Sequence, residues 1–179
     1  GDHTRDIVKS LIQMNKFEIK VNDLRWGDCP RNGITEEESY LKDYILTQNI
    51  NRPVDIFIQV SVANEFKKVG NYSIGITAGV ETTIAPQEFL TGANNMDLII
   101  TPSEFTKETL VKTTFTQVDK QTKQEVGKLQ LTKPVEVLFE GVDTTIFDGK
   151  SKSSILDSVD TDFNFLFVGH WLAGDLGHD

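Results

Sequence analysis

Cationic side chains are in short supply: 18 Lys and Arg stand against 27 Asp and Glu, for a net charge of -9. Such a balance argues against non-specific binding to nucleic acid or anionic membranes, since both require phosphate to be neutralised by cations. A phosphate-bearing ligand stays compatible where local dipoles and a few cations hold it. Cysteine is nearly absent. Cys29 alone cannot form an internal disulfide, which suits a reducing compartment and leads us to expect a cytoplasmic protein. No apolar run approaches the ~20 residues that span a bilayer, and no signal-peptide pattern is present. The Asn71–Tyr72–Ser73 sequon is therefore read as chance. The three histidines, His3, His170 and His178, have no metal-ligand spacing, so no metal site is expected. Gly-x-Ser-x-Gly, Walker A and Gly-x-Gly-x-x-Gly signatures are all missing.

What remains is ordinary for a globular protein, with 38% hydrophobic and 25% charged residues in 179. That length fits one domain, or one domain and a piece of a second. About 70% of the unfolded surface can be buried at this size, so no staple is required. The chain is organised around residues 73–105, SIGITAGVETTIAPQEFLTGANNMDLIITPSEF. Residues 73–77 and 97–101 are short apolar runs of the kind that form buried parallel strands. Each opens at its C-terminal end into a polar loop, and in open α/β sheets ligands collect at that edge.

Around this centre the pattern alternates. Ile7, Val8, Leu11, Ile12 and Met14 share one face of a helix that Asp2 or Thr4 is placed to cap. Residues 17–24 alternate as a strand, and residues 25–33 read as a loop. Thr35 and Glu38 form a capping box for a helix carrying Tyr40, Leu41, Tyr44 and Ile45. Residues 54–60 read as a central strand, and 61–70 as an irregular connection. Ser103 is expected to cap a helix reaching about residue 115, with Phe105, Leu110 and Val111 facing inward. A solvated β-hairpin with its tip at 119–125 follows, with a frayed helix as the alternative, then a strand at 134–139. Phe147 is expected to plug back against the core. A helix that opens an α/β chain ordinarily follows a strand, so the natural protein is expected to begin upstream.

Several segments resemble one family. Gly-x-His-Thr-Arg at residues 1–5, Glu-Thr-Thr-x-x-Pro at 81–86, Asn-x-Met-Asp at 94–97, Pro-Ser-Glu-Phe at 102–105, Gly-Val-Asp-x-x-x-Phe at 141–147 and Phe-Leu-Phe-Val-Gly at 165–169 occur in that order. Together they resemble the N-terminal, acceptor-side half of GT-B glycosyltransferases, most closely the retaining family 4-like group. Two positions depart from the pattern: Phe89 stands where tryptophan is frequent, and His170 where an arginine commonly follows the glycine. The resemblance implies a Rossmann-like α/β fold, with an open, mostly parallel sheet flanked by helices and a β-hairpin insertion. Residues 1–147 would form that domain without its first strand, 148–162 a linker, and 163–179 the first strand and loop of a donor-binding domain.

The resemblance also implies a nucleotide-sugar donor as substrate, no other cofactor, and transfer to an acceptor between two halves. Glu81 and His3 are the expected catalytic residues. Gly1, Asp2, Thr82, Thr83, Ser103 and Glu104 are expected around the acceptor, and Gly169 and His170 near the donor phosphate. The residue types leave plainer roles open. Glu81 is equally a solvated loop acid or a cap, Thr82 and Thr83 turn formers, Ser103 a helix cap, and His3 an exposed terminal histidine. Glu104 in a first helical turn is favoured by the dipole alone. Two other classes fit the same fold: a non-catalytic binding or assembly module, and a nucleotide-sugar epimerase.

Overall fold

Four short apolar segments pair in parallel to make the sheet. The computed structural model describes residues 2–24, 33–145, 147–150, 159–161 and 163–165. The strands are β1 (Ile56–Val60), β2 (Tyr72–Ile76), β3 (Leu98–Thr101) and β6 (Val135–Val137), in the spatial order β1-β2-β3-β6. The helices α2 (Gln87–Ala93) and α3 (Glu104–Lys112) flank it, α1 (Asp2–Met14) opens the chain, and β4 (Thr114–Val118) pairs antiparallel with β5 (Glu125–Gln130) as a separate hairpin. This is an open, mostly parallel α/β sheet of Rossmann-like type. Residues 54–60, expected to be central, lie at one end of the described sheet. Among the described residues no helix is long and apolar enough to cross a membrane. Two compact units divide the chain, Gly1–Glu140 and Gly141–Asp179.

Register explains the core. Gln59, Gly75, Ile99 and Val135 align across the four strands, and all are buried. Ile99 and Val135 pack with Leu90 and Ala93 of α2, Leu110 of α3, and Phe66 and Met96 from connections. Gly75 is required for this: a Cβ there would lie 2.4 Å from the Phe66 ring. Gly92 likewise lets α2 sit directly on the backbone of Ala63. Gln59 is buried yet satisfied, donating to Ser61 Oγ (3.0 Å) and the Glu65 carbonyl (2.9 Å) and accepting from Lys67 N (3.0 Å). It thereby ties down the connection after β1, where a lost partner would leave a buried amide unpaired.

The Asn-x-Met-Asp segment is structural throughout. Asn94 donates to the Gln130 carbonyl (2.9 Å) and accepts from Thr132 N (2.9 Å), pinning the hairpin base to the end of α2. Met96 is fully buried, and Asp97 accepts from Ser73 N and from Lys68 Nζ, both at 2.8 Å.

Several elements depart from their expected form. Thr4 lies inside α1 and caps nothing. Ile7, Val8, Leu11 and Ile12 are half-buried as expected, but Met14 is exposed where Asn15, at φ +49, ends the helix. Residues 17–24 form no strand, because their neighbour is only the short exit at Ile45, which supports a single bridge to Val21. The helix expected after Thr35 is a 3-10 turn, Ser39–Tyr44. Thr35 Oγ1 does accept from Glu38 N (3.3 Å), but the Glu38 carboxylate pairs with Lys9 and approaches Arg5 Nε (3.6 Å) instead of closing the box. The Lys9 hydrogen bond holds the Glu38 carboxyl below the usual carboxylate range. In α3 the buried face is Thr106, Thr109 and Leu110, while Phe105 and Val111 are each 52% exposed. Phe147 is 70% exposed and plugs no core. Phe163 and Phe165 lie outside any strand, with rings meeting edge to face at 5.0 Å. The rest of that expected strand, and residues 151–158 and 162 of the expected linker, lie outside the described residues.

The Asp97 pairs make acid stability testable. The Lys68 hydrogen bond, then the Ser73 amide, holds this carboxyl below the usual range. The unfolded chain therefore takes up the proton at higher pH than the folded one. The contribution is complete above about pH 5 and fades as pH falls through and below ~4. Asp97→Asn should lower the urea midpoint at neutral pH and flatten its decline between about pH 5 and pH 2. Equal slopes in the two proteins would show that this carboxylate is not coupled to folding.

Candidate functional site

Parallel strands place all their C-terminal ends on one edge, and the loops there are where α/β folds gather ligands. In this chain that edge receives Ser61 after β1, residues 77–86 after β2, Pro102 and Ser103 after β3, and residues 138–140 after β6. Leu138 N donates to the Thr101 carbonyl (2.9 Å), carrying the β3–β6 ladder one step beyond the strands.

The loop after β2 does not project outward. A row of threonines on α3, at i, i+3 and i+7, straps it along that helix. Thr106 Oγ1 donates to the Ala78 carbonyl (3.2 Å), Thr109 Oγ1 to the Thr82 carbonyl (3.5 Å), and Thr113 Oγ1 accepts from Ala85 N (3.0 Å). All three threonines are buried. Gly79, at φ +87, makes the close approach, since a Cβ would stand 2.0 Å from Thr106 Cγ2. Val80 turns inward against the core, and Glu81 beside it is exposed.

The expected site residues separate into groups. Ser103 caps α3, its Oγ accepting from Thr106 N (3.2 Å) and donating to Thr106 Oγ1 (3.2 Å). Thr82 spends its hydroxyl on the Ile84 carbonyl (2.8 Å), making the turn. Thr83 and Glu104 are exposed, Glu104 in the first turn of α3. His3 is half-buried in the first turn of α1, its Nδ1 3.9 Å from Glu140 Oε1. That pair brings the start of α1 to the residue that follows Leu138 and Phe139, on the C-terminal side of β6. Among the described residues no hydrogen bond or ion pair joins His3 to Glu81, Thr83 or Ser103. Gly1, Gly169, His170 and the Asp2 side chain lie outside the described residues.

Two shallow depressions, of about 440 and 400 Å3, lie elsewhere. One is lined by Asn64, Gln87, Glu88, Thr91, Gly92 and Asn95, the other by Glu18, Lys20, Leu46, Ile50, Asn51 and Arg52. Neither contains His3, Glu81 or Ser103. Among the described residues no group of three His, Cys, Asp or Glu side chains is placed to hold a metal. Ile84, Leu138 and Phe139 on loops, and Phe105 in the first turn of α3, add exposed apolar surface at this edge, Phe139 at 81%.

Sequence reasoning missed the threonine row and Glu140. The row had a signal, three threonines at helical spacing, but Phe105 and Val111 offered a more apolar face. Glu140 had none, because its partner is 137 positions away by number (140 − 3). Compared with protein-family models, with curated proteins and with solved structures, the chain matches none.

The Gly79 approach carries a prediction. Gly79→Ala combines a positive φ with overlap on Thr106, and should cost about 1–3 kcal/mol in urea unfolding. Thr106→Ser in the same chain keeps the hydroxyl, removes Cγ2 and should recover part of that loss. Wild-type stability in the single variant would show that the loop is not strapped as described.

Proposed function

We propose that this chain is the acceptor-side domain of a GT-B glycosyltransferase, which moves a sugar from a nucleotide-sugar donor to an acceptor hydroxyl. One observation supports this above the others. Three of the segments that resemble the family lie at the C-terminal edge of a parallel sheet: the helix turn holding His3 comes to Glu140 beyond β6, and the Glu81 loop is bound through Thr106 to the cap at Ser103.

Glycosyl transfer passes through an oxocarbenium-like state, which carboxylates and hydrogen-bond donors around the sugar stabilise. In this reading the exposed Glu81 carboxylate and His3 face the reacting groups, and Thr83 and Glu104 border the acceptor. Ser103 and Thr82 already use their hydroxyls within the fold, so they act mainly by shaping the loop. The donor contact through Gly169 and His170 rests on the sequence resemblance, as does the need for a donor-binding domain. The donor is substrate, and no other cofactor is invoked. A cytoplasmic location belongs to the same reading, supported by the single cysteine.

A second reading, a binding or assembly module without catalysis, is favoured by one observation: Phe105 in the first turn of α3 and Leu138 and Phe139 after β6 are exposed at the same edge. Backbone-amide NMR of the 179-residue chain against nucleotide sugars and free sugars separates the two. The enzyme reading expects shifts concentrated at residues 3–5, 79–83 and 103–104. Shifts confined to the depression at Asn64 and Gln87, or none with any sugar, would refute it. In an active enzyme carrying this domain, Glu81→Gln should leave the thermal midpoint nearly unchanged, because exposed substitutions usually stay within roughly 0.5 kcal/mol. Transfer should fall about ten- to a thousand-fold, corresponding to ~1.4–4 kcal/mol of lost transition-state stabilisation. Full activity, or a large drop in stability, would return Glu81 to a structural role.

A further inference from the structure

We infer that α1 is a separately clasped element, held in place chiefly by the Glu38 carboxylate, so that it can open, taking His3 with it, while the sheet stays closed. The buried apolar cluster lies entirely between Ala63 and Val135. Of the described residues up to 52, Leu41 alone is buried. The apolar stripe of α1, Ile7, Val8, Leu11 and Ile12, is only half-buried. Arg5 and Asp23 aside, the described hydrogen bonds and ion pairs of residues 2–52 stay within that stretch, with the 3.9 Å approach of His3 to Glu140 as the exception. Elements with so little apolar burial are the ones that open locally at low free energy.

The clasp is one carboxylate set against two cations. Arg5 and Lys9 lie one helical turn apart on α1 and so share a face. Glu38 stands just before the 3-10 turn Ser39–Tyr44, its side chain 17% exposed. Its Oε1 pairs with Lys9, and its Oε2 faces Arg5 Nε across 3.6 Å. That second oxygen is enclosed and accepts no hydrogen bond among the described residues. A carboxylate so withdrawn from water is tolerable only beside its cations, which ties Glu38 to a docked α1. Without the clasp, a 13-residue helix is marginal in water and frays. Only the ligand that His3 would meet rests on the glycosyltransferase reading. Opening α1 withdraws His3 and leaves Ser103 and the Glu81 loop in place, because Thr106 of α3 holds both.

Native-state hydrogen exchange of the whole 179-residue chain at neutral pH, followed by amide NMR, reads this opening. Amides of residues 6–14 should exchange faster than those of 73–76 and 98–101. Glu38→Gln should speed exchange in 6–14 by about three- to thirty-fold, between the effects of an exposed and an enclosed ion pair, with the strand amides unchanged. Lys9→Gln should act in the same direction and less strongly, because Arg5 remains. Glu108→Gln, which breaks the pair with Lys112 on α3, should leave residues 6–14 as in wild type. Helix amides as well protected as the strand amides, or exchange in 6–14 unmoved by Glu38→Gln, overturns the inference. Equal loss of protection in helix and strands, or a Glu38→Gln chain that fails to fold, overturns it too, since Glu38 would then hold the whole domain. No sugar enters the measurement, so its outcome is separate from that of the sugar titration that tests the glycosyltransferase reading.

Discussion

The row of Thr106, Thr109 and Thr113 is the constraint from which the C-terminal edge of the sheet takes its shape. Each hydroxyl engages the backbone of the loop after β2, at Ala78, Thr82 and Ala85, one helical turn at a time. Apolar residues in those places would bury loop carbonyls and amides without partners, which costs more than the packing returns. The helix therefore turns its threonines inward and leaves Phe105 and Val111 outside. The same contact sets Gly79 against Thr106 and delivers Glu81 to the surface. An exposed carboxylate beside a strapped loop is thus a consequence of helix orientation.

Polar side chains elsewhere serve the same end. Gln59 fixes the connection after β1, Asp97 joins the starts of β2 and β3 through Ser73 N, and Asn94 anchors the hairpin. Apolar contacts tolerate sliding between neighbouring strands, whereas paired donors and acceptors do so only in one register. The short strands of this sheet, three to five residues each, gain uniqueness from those bonds.

This division also bears on the segments that resemble glycosyltransferases. Asn94, Met96, Asp97, Thr82 and Ser103 are accounted for by roles inside the fold. Glu81, Thr83, Glu104 and His3 are not consumed in that way. They face solvent wholly or in part, and only His3 has a described polar neighbour, Glu140. Function is most economically sought among these four.

The sequence by itself determined the alternation of strands and helices from β1 to β6, the hairpin and the cap at Ser103. Those features follow from local signals: β-branched runs, punctuating Gly and Pro, and a hydroxyl ahead of a helix. It also indicated which edge of the sheet gathers the loops after β2 and β3, because parallel strands send their ends one way. Tertiary structure alone decided which face of α3 is buried, because that depended on where a loop 28 positions away needed hydrogen bonds. It alone unmade the strand at 17–24 and the helix after Thr35, since a strand needs a ladder and Glu38 found Lys9. It alone brought His3 to Glu140, because a contact between distant positions leaves no periodicity to read.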